Sequence, residues 1–171
     1  MRLLIVTGLP GTGKTTLSRA LAARYAVPLL AKDAFKEHLL DEWGPGDAAH
    51  SRRLSDLAFE ALFGAAREAL SGGTDLLLEG NFRCGRHEAW LEPFEGLRVA
   101  QILCRVDEGL RTARLQARRQ DPARHAGHGD SAAALDATND AFLQLAGPRW
   151  LLPGGDVPAL LPQVDAWWFG R

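Results

Sequence analysis

The segment Gly8-Leu9-Pro10-Gly11-Thr12-Gly13-Lys14-Thr15 constrains this chain more than any other, because it joins two stretches of different period. Before it, Leu3-Leu4-Ile5-Val6 is an unbroken apolar run, the pattern of a short strand buried on both faces. After it, Leu17, Leu21 and Ala22 recur at helical spacing, which predicts a helix over 14–25. A glycine, four residues, then Gly-Lys-Thr between a strand and a helix is the P-loop pattern, and each residue type has a mechanical reason. Gly8, Gly11 and Gly13 let backbone N–H groups close on phosphate, Lys14 reaches the β and γ phosphates, and the Thr15 hydroxyl holds Mg2+. Pro10, Thr12 and Thr16 complete the expected nucleotide-binding set. The helix opening at Lys14 also aims its free N–H groups and the positive end of its dipole at the anion.

The rest of the chain repeats the alternation. A short strand is expected over 27–31, a helix over 33–43 with Asp33 near its cap, and a break at Gly44-Pro45-Gly46-Asp47. Leu54, Leu57, Ala58, Ala61, Leu62, Ala65 and Ala69 predict a long amphipathic helix over 50–70, stopped by Ser71-Gly72-Gly73. Leu76-Leu77-Leu78 predicts a buried strand that delivers Glu79 at its end, and 97–106 a further strand leading to a helix from about Asp107. A helix over 130–145, a short strand at Trp150-Leu151-Leu152 and a terminal helix with Leu160, Leu161, Val164, Trp167 and Trp168 complete the reading. Strands alternating with helices imply an α/β protein with a parallel sheet covered on both faces. In such sheets ligands collect at the carboxyl ends of the strands, so the loops after Val6, Ala31, Leu78 and Val106 should surround one crevice.

A length of 171 residues suits a single domain, 1–171, with no room for a separate substrate domain. The formal net charge of −1 offers no overall attraction for nucleic acid or an anionic membrane. The first residues lack the pattern of a signal peptide, no stretch reaches membrane-spanning length, and Cys84 and Cys104 show neither metal nor redox spacing. A soluble cytoplasmic protein is expected.

Together with the P-loop, Lys32-Asp33-Ala34-Phe35-Lys36, Leu77-Leu78-Glu79-Gly80-Asn81-Phe82-Arg83 and the segment 114–128 give the chain a resemblance. It is similar to small P-loop kinases of the group containing chloramphenicol phosphotransferase, zeta toxin and the kinase domain of polynucleotide kinases. That resemblance implies a three-layer P-loop fold with a five-stranded parallel sheet in the order 2-3-1-4-5, ATP as the nucleotide and Mg2+ as the metal. It implies that Asp33 is the general base for an acceptor hydroxyl; the alternative reading of Asp33 is a helix N-cap. Glu79 stands where these kinases carry an acidic residue that serves the Mg2+ shell or the substrate, and Asn81 and Arg83 fall on the acceptor side. A lid over about 111–130 is implied, with Arg114 and Arg118 matching best, then Arg124 and His125; Arg111 and Arg119 lie in the same arginine run and His128 follows. The alternative for that run is a solvated face. His38, His50 and His87 read as surface or packing residues.

The expected reaction is transfer of the γ phosphate of Mg-ATP to a hydroxyl of a small molecule, with 35–60 and the segment after Glu79 forming the acceptor pocket. A 5′-hydroxyl kinase for RNA or DNA, a zeta-like kinase of a nucleotide-activated amino sugar, and a nucleotide-dependent switch or ATPase are the other readings. Near-zero net charge disfavours the nucleic acid, and an acceptor base has no use in a switch.

Overall fold

The computed structural model describes residues 1–91, 94–120 and 140–170. Five strands, β1 (Arg2–Thr7), β2 (Leu29–Ala31), β3 (Leu76–Glu79), β4 (Arg98–Arg105) and β5 (Arg149–Pro153), form one sheet in the order β2-β3-β1-β4-β5, every neighbouring pair parallel. The helices between them are α1 (Lys14–Tyr25), α2 (Lys32–Trp43), α3 (Ala48–Ser71), α4 (Glu108–Arg119) and α5 (Val157–Trp168), with a 3-10 turn at Glu88–Trp90. This is the P-loop sheet order that the resemblance implied.

The apolar runs divide between two cores by the period of two. Leu4 and Val6 of β1, Leu77 of β3 and Ala100, Ile102 and Cys104 of β4 face one way, against Leu17 and Leu21 of α1 and Leu160, Val164 and Trp168 of α5. Leu3 and Ile5, Leu76 and Leu78, and Val99 face the other, against Phe59, Leu62, Phe63 and Ala66 of α3. A strand buried on both faces has no polar face to alternate with, which is why these segments read as continuous hydrophobic runs.

Several boundaries differ from expectation for local reasons. The strand expected over 27–31 begins only at Leu29, because Ala26 caps α1 in the left-handed conformation (φ 53°) and the Val27 N–H closes on the Ala22 carbonyl at 3.1 Å. The long helix starts at Ala48, since the Asp47 carboxylate accepts the His50 N–H at 2.8 Å and caps it. Of the helix expected over 130–145, residues 130–139 lie outside the described residues, and 140–145 are not α-helical. There the buried Gln101 side chain takes both backbone groups of Leu143, accepting its N–H at 2.8 Å and donating to its carbonyl at 3.1 Å. Glu88 accepts the N–H of Gln144 at 2.9 Å. Backbone groups held by side chains of β4 and of the 3-10 turn are not available to a helix.

Candidate functional site

Parallel register builds the site. Val6 pairs with Glu79, and Glu79 pairs in turn with Ala31, so β1, β3 and β2 end in one row. The glycine loop leaves β1, Glu79 ends β3, and Lys32 and Asp33 open α2 immediately after β2; all three therefore surround one crevice.

The loop is a cradle in which side chains would not fit. Gly8, Gly11 and Gly13 have φ of 140°, 86° and 91°. A Cβ on Gly8 would lie 2.4 Å from the backbone oxygen of Cys104, and one on Gly11 would lie 3.1 Å from that of Arg111. Gly13 caps α1 without any side-chain hydrogen bond, so no side chain competes for the N–H groups of the first turn. The Thr12 hydroxyl donates to the Leu9 carbonyl at 2.8 Å and shapes the bend. Lys14 is buried, with its Nζ 3.5 Å from the Leu9 carbonyl and 3.8 Å from Glu79 Oε1, both long contacts for a buried ammonium. Pro10 is half-buried and Thr16 exposed.

Glu79 shares the sheet face of Leu77, two residues before it, and that face carries α1. Its carboxylate consequently meets the start of α1: the Thr15 hydroxyl donates to Oε2 at 3.4 Å and Lys14 stands at Oε1. Burial pushes the Glu79 carboxyl above its ordinary value, against the opposing pull of Lys14. Thr15 and Glu79 thus offer a hydroxyl and a buried carboxylate side by side at the mouth of a phosphate cradle. A cation shared with substrate phosphates, as Mg2+ is in such sites, needs few protein ligands beyond these, so the residues present fit Mg-ATP.

Asp33 does not cap α2. The cap position is Ala31, and Asp33 is exposed in the first turn, where its Oδ1 lies 3.3 Å from the Lys32 Nζ. Asn81, half-buried, and Arg83 line an adjoining cleft with Lys32, Ser55 and Phe59. Arg114 comes to the loop: its Nη1 donates to the Gly11 carbonyl at 3.3 Å. Arg111 instead packs beneath, buried and held bidentately by Glu108, with its backbone against Gly11. Arg118 is exposed on α4. Arg124, His125, His128 and the Arg119 side chain lie outside the described residues, as does most of the expected lid.

The chain matches the family model of the AAA domain over residues 3–144, most of its length. It belongs to that family. As an AAA-domain protein of the P-loop kinase group, it is similar to a candidate kinase from Chloroflexus aurantiacus J-10-fl, with 33% identity over 96% of each chain and a TM-score of 0.85. The same fold occurs in a sugar kinase from Janibacter sp. HTCC2649 (16% identity, 99% of this chain and 95% of that one, TM-score 0.63). It occurs also in a gluconokinase from Sinorhizobium meliloti 1021 (15%, 98% and 91%, 0.57). No curated protein matches the chain significantly. No helix among the described residues is long and apolar enough to cross a membrane.

Sequence reasoning missed a basic group around the AAA-domain crevice. Lys32 and Lys36 are both buried on α2, and each meets a serine of α3: Lys36 donates to Ser51 Oγ at 2.8 Å and Lys32 lies 3.5 Å from Ser55 Oγ. Burial and the neighbouring Lys32 push the Lys36 ammonium down to about 8. The matched i, i+4 spacings of Lys32 with Lys36 and Ser51 with Ser55 were the available signal. His87 is the histidine that packs: it is buried among Phe59, Phe63 and Phe82. Its Nδ1 accepts the Arg83 backbone N–H at 3.0 Å, and burial holds its pKa down to about 4.

Proposed function

We propose that this protein is a kinase that transfers the γ phosphate of Mg-ATP to a hydroxyl of a small molecule. The observation that carries the reading is the row Val6–Glu79–Ala31. It sets a phosphate cradle, a carboxylate touching that cradle and a second carboxylate on the far side, at Asp33, around one crevice. The 33% identity to the Chloroflexus protein over nearly the full length supports it.

In this reading the N–H groups of residues 11–15 and the Lys14 ammonium hold the β and γ phosphates. Thr15 and Glu79 would hold the metal, whose charge would offset that of the transferring phosphoryl group. The contact of Glu79 with Thr15 and Lys14 favours the metal side for this residue over the acceptor side. Asp33 accepts the proton of the acceptor hydroxyl as its oxygen bonds to phosphorus and the bond to the ADP oxygen breaks. It is exposed in the first turn of α2, with Lys32 beside it at 3.3 Å. Arg114, already against the loop, supplies positive charge to the phosphoryl group, and Arg118, Arg124 and His125 belong to the lid.

The test is a screen of sugars, sugar phosphates, nucleotides, aminoglycosides, phenicols and 5′-hydroxyl oligonucleotides with γ-labelled ATP and Mg2+. Asp33→Asn is then assayed on the acceptor found. We expect label on a small molecule and a kcat lower by about 100-fold or more in the variant. Label released only as free phosphate, or a kcat within a few-fold of the parent, overturns the reading in favour of a nucleotide switch or a different base.

A further inference from the structure

The cleft beside Asp33 has a charge that a neutral acceptor does not need. Its volume is about 200 Å³, and its walls come from three elements: the start of α2, the first half of α3 and the turn after β3. Four cationic side chains line it, Lys32, Arg52, Arg83 and Arg86, against two carboxylates: Asp56 in the wall, paired with Arg86 at 3.0 Å, and Asp33 beside it, 3.3 Å from Lys32. His87, also in the wall, is neutral at physiological pH. Lys32 is the innermost of the four, 6% exposed, with its Nζ 5.8 Å from the centre of the Phe59 ring.

Gathering cations costs free energy through mutual repulsion and, for a buried ammonium, through lost hydration. Lys36, one turn beyond Lys32, carries both costs. An anion in the cleft would offset these costs, since the cations outnumber the carboxylates beside them. Arg83 and Arg86 come from the turn after β3 and Arg52 from α3, so guanidinium groups approach the cleft from two sides. The planar fork of arginine matches the oxygens of a carboxylate or a phosphate. The triphosphate cradle next door is itself a site for negative charge, so an anionic acceptor would be repelled on approach unless cations of its own received it. Small volume limits the occupant to a compact molecule rather than a polymer chain.

The geometry points to an acceptor that already bears an anionic group, a phosphate ester or a carboxylate, seated among Lys32, Arg52, Arg83 and Arg86 while its free hydroxyl faces Asp33. This rests on the kinase reading for the hydroxyl but not for the anion. The two are separated by measuring binding without turnover. The 171-residue chain, its P-loop filled by Mg2+ and a non-hydrolysable ATP analogue, is titrated calorimetrically with glucose 6-phosphate, gluconate, glucose, inorganic phosphate and a short 5′-hydroxyl oligonucleotide.

At least one small anion should bind ten-fold or more tightly than glucose, and a preference for the phosphates over gluconate, or the reverse, identifies the group. Arg52→Ala, at an exposed position that leaves the core untouched, and Arg83→Ala should each weaken that binding by five-fold or more. Both variants should retain the parent's thermal midpoint and its affinity for the ATP analogue. Glucose binding as tightly as the anions, no binding by any small anion, anion binding indifferent to both arginines, or tightest binding by the oligonucleotide overturns the proposal. Anion binding without phosphorylation of any anionic acceptor would leave the site standing and sink the kinase reading.

Discussion

Glu79 and His87 show how one residue's surroundings decide what it contributes. The Glu79 carboxyl is pushed up by burial, so the folded state holds its proton over a window above the ordinary glutamate value, and its contribution to stability falls as pH rises through that window. Burial thus makes the charged form of this carboxyl less favourable to the fold than the neutral one. Glu79→Gln should leave the thermal midpoint of the empty protein unchanged or higher, while kcat/KM for Mg-ATP drops by about 100-fold or more as metal binding is lost. Kinetics at varied Mg2+ and acceptor concentrations check the assignment. A rise in the acceptor KM with an unaltered Mg2+ requirement would move Glu79 to the acceptor side. His87 acts on the fold. Its ring is walled by Phe59, Phe63 and Phe82, with Arg83, Arg86, Glu88 and Asp56 around it, and desolvation leads the two arginines in holding its pKa near 4. As pH falls from about 6.5 toward 4, the unfolded chain takes up a proton that the folded chain refuses, so stability is lost on acidification. Melting curves across that range should show a shallower decline for His87→Gln than for the parent; parallel slopes would sink the explanation.

Among elements, the glycine loop shows most clearly what position does. Gly8 and Gly13 both have positive φ, but a Cβ on Gly8 meets a backbone oxygen at 2.4 Å, and on Gly13 the nearest atom is Arg114 Nη1 at 3.6 Å. Gly8→Ala therefore combines strained backbone with a collision against β4 that no side chain can relieve, and should cost about 3 kcal/mol or more. Gly13→Ala has only the left-handed strain, about 1 kcal/mol, and should fold while binding Mg-ATP more weakly. Thermal melts with and without nucleotide separate the two. This contrast was not legible in the sequence, where the glycines have the same motif role; it depends on how closely β4 and α4 approach each one. Helix α4 was legible as an arginine-bearing element, yet its register over Gly11 sorts the arginines. Arg111 is committed to Glu108, Arg114 is brought to the loop and Arg118 is exposed.

Across the whole molecule, the loop is held by ties that lie far from it. The Tyr25 hydroxyl donates to Asp165 at 2.9 Å and Arg24 pairs with the same carboxylate, fastening the far end of α1 to α5. Arg2 makes an equivalent connection between β1 and β3 through Asp75. With both ends of the strand-loop-helix unit anchored, nucleotide binding should stabilise the whole fold. At one hundred times Kd the gain is about 2.7 kcal/mol. For a domain of this length that gain raises Tm by about 5–10 °C. Differential scanning fluorimetry should record it with Mg2+ and the ATP analogue, reduced by a chelator and absent in Lys14→Ala. An unchanged Tm at saturating nucleotide would contradict the role given to the cradle.

What the sequence determined by itself was the local part: the triphosphate loop and the alternation of apolar strands and amphipathic helices that makes an α/β sheet. These are properties of contiguous residues, set by glycine's access to positive φ and by periods of two and 3.6. Even the face of Glu79 follows from the parity of its strand. The tertiary structure alone decided that Lys32, Arg52, Arg83 and Arg86 converge. No local pattern joins them; they meet because α2 packs on α3 and the turn after β3 reaches the same cleft, contacts between residues far apart in the chain.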